Sequence, residues 1–118
     1  TADIDGAAEA ELGRHWGTAL ASDILLVPHH GSGTSSTRAL VSQVGPKFAL
    51  FSLGYRNRYG FPFPRVVQAW RDSGAKVLPT PGSGAIRFNL SARGPLSEPL
   101  RERVTGRRFW RQPPERVE

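Results

Sequence analysis

Ile24-Leu25-Leu26-Val27-Pro28-His29-His30-Gly31-Ser32-Gly33-Thr34-Ser35-Ser36 is the stretch on which the reading of this chain turns. Four apolar residues, too few for a helix, predict a buried strand bounded by Asp23 and Gly31. Pro28 has no N–H for a sheet ladder, so the strand ends there or reaches an edge. Two adjacent histidines then leave the sheet together, followed by a loop made only of Gly, Ser and Thr. The crevice beyond a strand end is where open α/β sheets place ligands. Gly31 and Gly33 let backbone N–H groups approach an anion closely, and Ser32, Thr34, Ser35 and Ser36 add hydroxyls. The plain alternative is a solvated turn that binds nothing.

Downstream, residues 37–44 read as a short helix with Ser35 or Ser36 as its N-cap and Gly45-Pro46 as its stop. Residues 48–53 read as a second buried strand, ended by Gly54. The loop from Tyr55 to Pro64 alternates arginine with aromatics around Asn57. Arg56 and Arg58 suit phosphates, and Tyr55 or Tyr59 suits base stacking. Equally, Tyr55, Tyr59, Phe61 and Phe63 could simply pin the loop to the core. Pro64 opens a helix over residues 65–73 with Val66, Val67 and Trp70 inward and Gly74 as its stop. Residues 76–78 predict a strand, 79–84 a turn, and 85–90 an alternating strand.

Upstream, residues 7–20 predict a helix with Ala8, Leu12, Trp16, Ala19 and Leu20 inward and His15 solvated, capped by Asp3 or Asp5. Strand and helix alternate, so the fold class is α/β. The domain is expected to span residues 1–90. Residues 91–118, rich in Arg, Pro and Glu, read as a poorly structured basic tail carrying the cluster Arg107-Arg108-Phe109-Trp110-Arg111.

A chain of 118 residues has room for one modest core. No run approaches the roughly 18 apolar residues of a membrane span. A chain beginning at Thr1 reads as a piece of something longer. Without cysteine, any metal must be held by His and carboxylate, which suits Zn²⁺ or Mn²⁺. The net charge of +6 is uneven: residues 1–36 hold five acids and one arginine, residues 37–118 fifteen cations and five acids. Fourteen of the sixteen cations are arginine, the side chain suited to bidentate phosphate contact, and a polyanionic partner follows. A GC-rich genome would also raise the arginine count.

Pro28-His29-His30-Gly31-Ser32 with Thr34-Ser35-Ser36, then Gly54-Tyr55-Arg56-Asn57-Arg58-Tyr59-Gly60 and Ser83-Gly84-Ala85-Ile86, resemble the metallo-β-lactamase-fold hydrolases. Within them the chain most resembles the C-terminal domain of the ComEC family of DNA-uptake channel proteins, from residue 3 to about 90. The resemblance implies the C-terminal half of an αβ/βα sandwich with two metal ions between its sheets. It implies Asp3 as a bridging ligand and one of His29 or His30 as a terminal ligand. Adjacent residues of a regular strand point to opposite sides, so His30 is read as the ligand and His29 as a donor to the scissile phosphate. It further implies that the loop over residues 31–36, with Gly31, Ser32, Thr34 and Ser35, orients that phosphate. Asn57 and Tyr59 match the family pattern in the next loop and join Arg56 and Arg58, read from residue type, as candidate substrate contacts.

Three departures stand out. Ala2 replaces the usual glycine before Asp3, and Phe61 and Phe63 stand where the family has histidines. The first metal motif, His-x-His-x-Asp-His, is absent. The fragment alone is therefore expected to be inactive. Its parent is expected to be a metal-dependent DNA phosphodiesterase, a soluble domain of an inner-membrane protein acting on single-stranded DNA beside a membrane channel. A non-catalytic nucleic-acid-binding module and a hydrolase of small phosphodiesters or esters are the competing readings.

Overall fold

A computed structural model describes residues 2–92 and 96–106. Three parallel strands form the central sheet in the order β1 (Ile24–Leu26), β2 (Phe48–Phe51), β3 (Lys76–Pro79). Parallel neighbours need a crossover, and helices supply it: α2 (Arg38–Val44) between β1 and β2, and α3 (Pro64–Asp72) between β2 and β3. The strands run in step, Leu25 beside Ala49 and Ala49 beside Val77. The mixed α/β class read from the sequence is the one observed.

Alternation along the strands sorts the side chains. Leu25, Val27, Ala49 and Phe51 join Leu40, Val41, Val44, Val66, Val67 and Trp70 in one core. Phe51 and Trp70 have no exposed surface. Burying a side chain such as Phe51 stabilises the fold by roughly 1.5–3 kcal/mol. The inward stripe predicted for α3 is the one observed, with Pro64 in its first turn and Gly74 at φ 89° just past its end.

The first helix differs from its reading. α1 covers Gly6–Trp16 and continues as a tight turn through Leu20. Asp5 caps it, accepting from the N–H groups of Ala7 and Ala8, which leaves Asp3 outside the cap. Trp16, expected in the core, is 63% exposed. α1 meets α2 through Glu9, its one buried residue, and through Gly13, where an added Cβ would lie 2.7 Å from the Gln43 side chain. The helix is thereby rotated so that Ala8, Leu12 and Trp16 lie on an open face with Ile4.

After β3, residues 80–83 form a helical turn, α4 (Thr80–Ser83), and the predicted last strand shortens to β4 (Ile86–Arg87). Its antiparallel partner is β5 (Leu100–Arg101), followed by the turn α5 (Glu102–Thr105), both within the span read as tail. Glu98 pairs with Lys76 at 2.6 Å. The cluster at residues 107–111 lies outside the described residues. No helix among the described residues is long and apolar enough to cross a membrane.

Candidate functional site

The C-terminal ends of β1 and β2 open on one cleft of about 700 Å³. His29 and His30 enter it from β1, Asp3 from the N-terminal segment, and Ser52, Leu53 and Gly54 from the exit of β2. Asn57, Tyr59 and Phe61 complete the wall. Parallel strands bring both loops to the same edge, as expected for ligand sites on such sheets.

His29 and His30 do not prolong the strand. Both take left-handed backbone angles, φ 47° and 54°, inside the Pro28–Gly31 turn. That conformation costs a residue bearing a Cβ roughly 1–2 kcal/mol, and surrounding contacts must hold it. One such contact is the His29 N–H, which donates to the Ala2 carbonyl at 3.0 Å and ties the N-terminal segment to the turn. Strand alternation would send the two imidazoles to opposite sides. The turn sends both into one cleft.

His30 Nδ1 lies 2.6 Å from the carbonyl of Ser52. A carbonyl only accepts, so Nδ1 carries the proton, and this bond fixes the ring's orientation. Nε2 then faces Asp3, whose Oδ1 is 3.3 Å away. Two donors on one tetrahedral zinc, at bond lengths near 2.0–2.2 Å, lie about 3.3–3.5 Å apart. The pair therefore fits a single shared cation, and a backbone carbonyl behind the imidazole is the usual support for a metal-binding histidine. Among the described residues, no group of three or more His, Cys, Asp or Glu side chains is arranged to hold a metal. Asp3 and His30 by themselves fall short of such a group.

Competence protein ComA of Neisseria gonorrhoeae is 36% identical over 114 residues, 97% of this chain and 16% of its own length. ComE operon protein 3 of Bacillus subtilis is 36% identical over 72 residues, 61% of this chain and 9% of its own length. Recombination protein 2 of Haemophilus influenzae is 40% identical over 68 residues, 58% of this chain and 9% of its own length. The chain belongs to the ComEC family of competence proteins. It spans 16% or less of the length of these relatives. No protein-family model and no solved structure matches it.

The other candidate positions read from the sequence divide into two groups. Gly31, Ser32, Thr34 and Ser35 do not form the cleft wall. Ser35 Oγ lies 3.0 and 3.1 Å from the carbonyls of Pro28 and Ser32. Ser32 Oγ meets Thr34 Oγ1 at 3.1 Å and accepts from the Thr34 N–H. Gly31 sits at φ 80°, where a Cβ would stand 2.7 Å from the Phe51 ring and 2.8 Å from Pro62. The second group is outside or at the cleft. Arg56 lies over Tyr55 at 5.3 Å and Arg58 over Tyr59 at 5.1 Å. Asn57 spans its own loop: its amide donates to the Phe61 carbonyl at 2.7 Å and accepts the Phe61 N–H at 3.0 Å.

Four residues that sequence reasoning missed hold this site together. Glu9 is 2% exposed, and its two oxygens accept the N–H groups of Ser36 and Thr37 at 2.6 and 2.8 Å. Those are the donors at the start of α2, where a carboxylate is favoured. Thr37, not Ser35 or Ser36, caps α2, because Ser36 is held at φ 58° and Ser35 is turned to Pro28. Thr80 Oγ1 bonds both the N–H and the carbonyl of Leu53 at 2.8 Å, which fixes the backbone next to the Ser52 carbonyl. Ser52 itself acts through that carbonyl, and no side-chain pattern could have announced it.

Proposed function

We propose that this chain supplies the carboxylate–imidazole part of a metal-dependent phosphodiesterase centre that acts on DNA during its uptake. The observation that carries the proposal is the Asp3 Oδ1–His30 Nε2 pair at 3.3 Å, with Nδ1 anchored on the Ser52 carbonyl. Zn²⁺ or Mn²⁺ bound there would act as a Lewis acid towards a phosphoryl oxygen. Asp3 and His30 would hold the ion, with Asp3 offering a second oxygen to a neighbouring one. His29, in the same cleft, would donate to the phosphate being cleaved, and Thr34 Oγ1, 3.5 Å from its Nδ1, would help orient the ring. The buried hydroxyl loop keeps His29 and His30 in their left-handed turn. Arg56 and Arg58 would contact phosphates on either side.

The competence name of the Neisseria gonorrhoeae relative supports DNA uptake as the setting; on this reading DNA is the substrate class, and the chain is a soluble domain of an inner-membrane DNA-uptake protein. The missing ligands would come from the remainder of the parent chain. In the intact protein, His30→Ala is expected to abolish metal-dependent cleavage of a DNA oligonucleotide while the circular dichroism spectrum is retained. Full activity and full metal content in that variant would remove His30 from the ligand set. A second reading, a nucleic-acid-binding module without catalysis, draws on Phe61 and Phe63, which cannot carry a proton where histidines would.

A further inference from the structure

We propose that Tyr59, Phe61 and Phe63 form a stacking lane for the unpaired bases of single-stranded DNA, leading out of the cleft. The proposal rests on the DNA reading above and is independent of the metal. The three rings recur at every second residue of a turn-rich loop. Tyr59 and Phe61 are stacked, with centroids 5.8 Å apart and an interplanar angle of 24°. Phe61 and Phe63 follow at 6.0 Å and 46°. At the cleft end, His29 meets Phe61 edge-on at 6.0 Å. Rings that merely pinned the loop to the core would be covered, yet Tyr59 is 62% and Phe63 41% exposed.

The lane is held in shape before any ligand arrives. Asn57 clasps the backbone of Phe61, and the Phe63 N–H donates to the Gly31 carbonyl at 2.9 Å. Preordering of this kind lowers the entropy lost on binding. Its flanks are cationic: the Arg58 guanidinium lies over Tyr59, and Arg65 donates to the Gly33 carbonyl beside the Phe63 ring. Residues 24–71 contain six Arg or Lys and no Asp or Glu. A protein partner would need acids to match; a polynucleotide brings phosphates and π faces together. A duplex hides those faces, so the lane selects a single strand. Every base has a π face, so the selection is for strandedness and not for sequence.

The test is fluorescence anisotropy in EDTA with four 12-nucleotide probes: oligothymidylate, an abasic oligonucleotide of equal length, a duplex and oligouridylate. The protein is expected to bind oligothymidylate about tenfold more tightly than the abasic strand, the range that one stacked base can supply. Phe61→Leu combined with Phe63→Leu keeps apolar bulk and removes the aromatic faces. That variant is expected to lose the preference while its abasic affinity stays the same. Where circular dichroism shows the double variant unfolded, Tyr59→Leu at an exposed position takes its place, with a loss of at least threefold in the preference expected. Equal binding of oligothymidylate and the abasic strand, tighter binding of the duplex, or tighter binding of oligouridylate would overturn the proposal. Because EDTA removes any metal, failure of the cleavage reading leaves this result standing, and the reverse holds too.

Discussion

Two loops leave neighbouring parallel strands at the same edge of the sheet, and they are built in opposite ways. The loop after β1 is rich in hydroxyls and turned inward: Ser32, Ser35 and Ser36 are buried, and their polar atoms bond to one another, to Pro28, to Glu9 and to Trp70. The loop after β2 is rich in arginine and aromatics and turned outward, with Tyr55, Tyr59 and Phe63 exposed. By residue type alone the first looks like a phosphate cradle, and the second like either a nucleic-acid contact or a packed strut. Burial changes the first reading and bears on the second. The hydroxyl loop braces the His29-His30 turn, and the aromatic loop leaves Tyr55, Tyr59 and Phe63 open to solvent.

The comparison breaks first at Glu9. Glu9→Ala strands two amide N–H groups at the start of α2, and it is expected to cost about 3–4 kcal/mol in urea unfolding. Glu9→Gln, which keeps one acceptor, should lose less. A cost under about 1 kcal/mol for the alanine variant would mean that the hydroxyl loop is not braced from α1. Next comes Gly31→Ala, where φ 80° and contacts of 2.7–2.8 Å demand movement of Phe51 or Pro62. About 2–3 kcal/mol of destabilisation is expected, together with weaker metal binding, since His30 precedes it.

Trp70→Phe removes the indole N–H that donates to Ser36 Oγ at 3.1 Å and leaves a small cavity in the core. A cost of about 1–2 kcal/mol is expected by thermal unfolding. On the other side of the comparison, Arg56→Ala combined with Arg58→Ala should change stability by less than about 0.5 kcal/mol. In the intact protein it should flatten the log–log salt dependence of single-strand binding by about one, because each lost phosphate contact contributes up to about 0.7. A lowered melting temperature with an unchanged slope would make these arginines struts.

Much of the fold was legible because local signals agreed with tertiary packing. The apolar run at residues 24–27, the Pro64 start and the Val66-Val67-Trp70 stripe all report burial directly. The first helix was misread because periodicity marks apolar positions, whereas α1 docks through a buried carboxylate and a glycine. Glu9 bonds residues 27 and 28 positions away, a distance over which no local pattern speaks. Asp3, His29 and His30 stand out in the sequence, and they line one cleft. That both histidines share one cleft was not legible, because it depends on left-handed angles that non-glycine residues seldom adopt. The pairing of β4 with β5 escaped notice for a similar reason: two-residue strands carry too little alternation to be seen.

The central claim is that Asp3 and His30 share one cation. Long-range proton–nitrogen NMR of the imidazoles during a zinc titration tests it most directly. A His30 ring protonated on Nδ1 is expected, with an Nε2 resonance that moves with zinc at an affinity no tighter than roughly micromolar, because the ligand set is incomplete. Asp3→Asn should weaken that response about tenfold. A His30 Nε2 resonance that zinc leaves in place, or one that moves equally in Asp3→Asn, would contradict it.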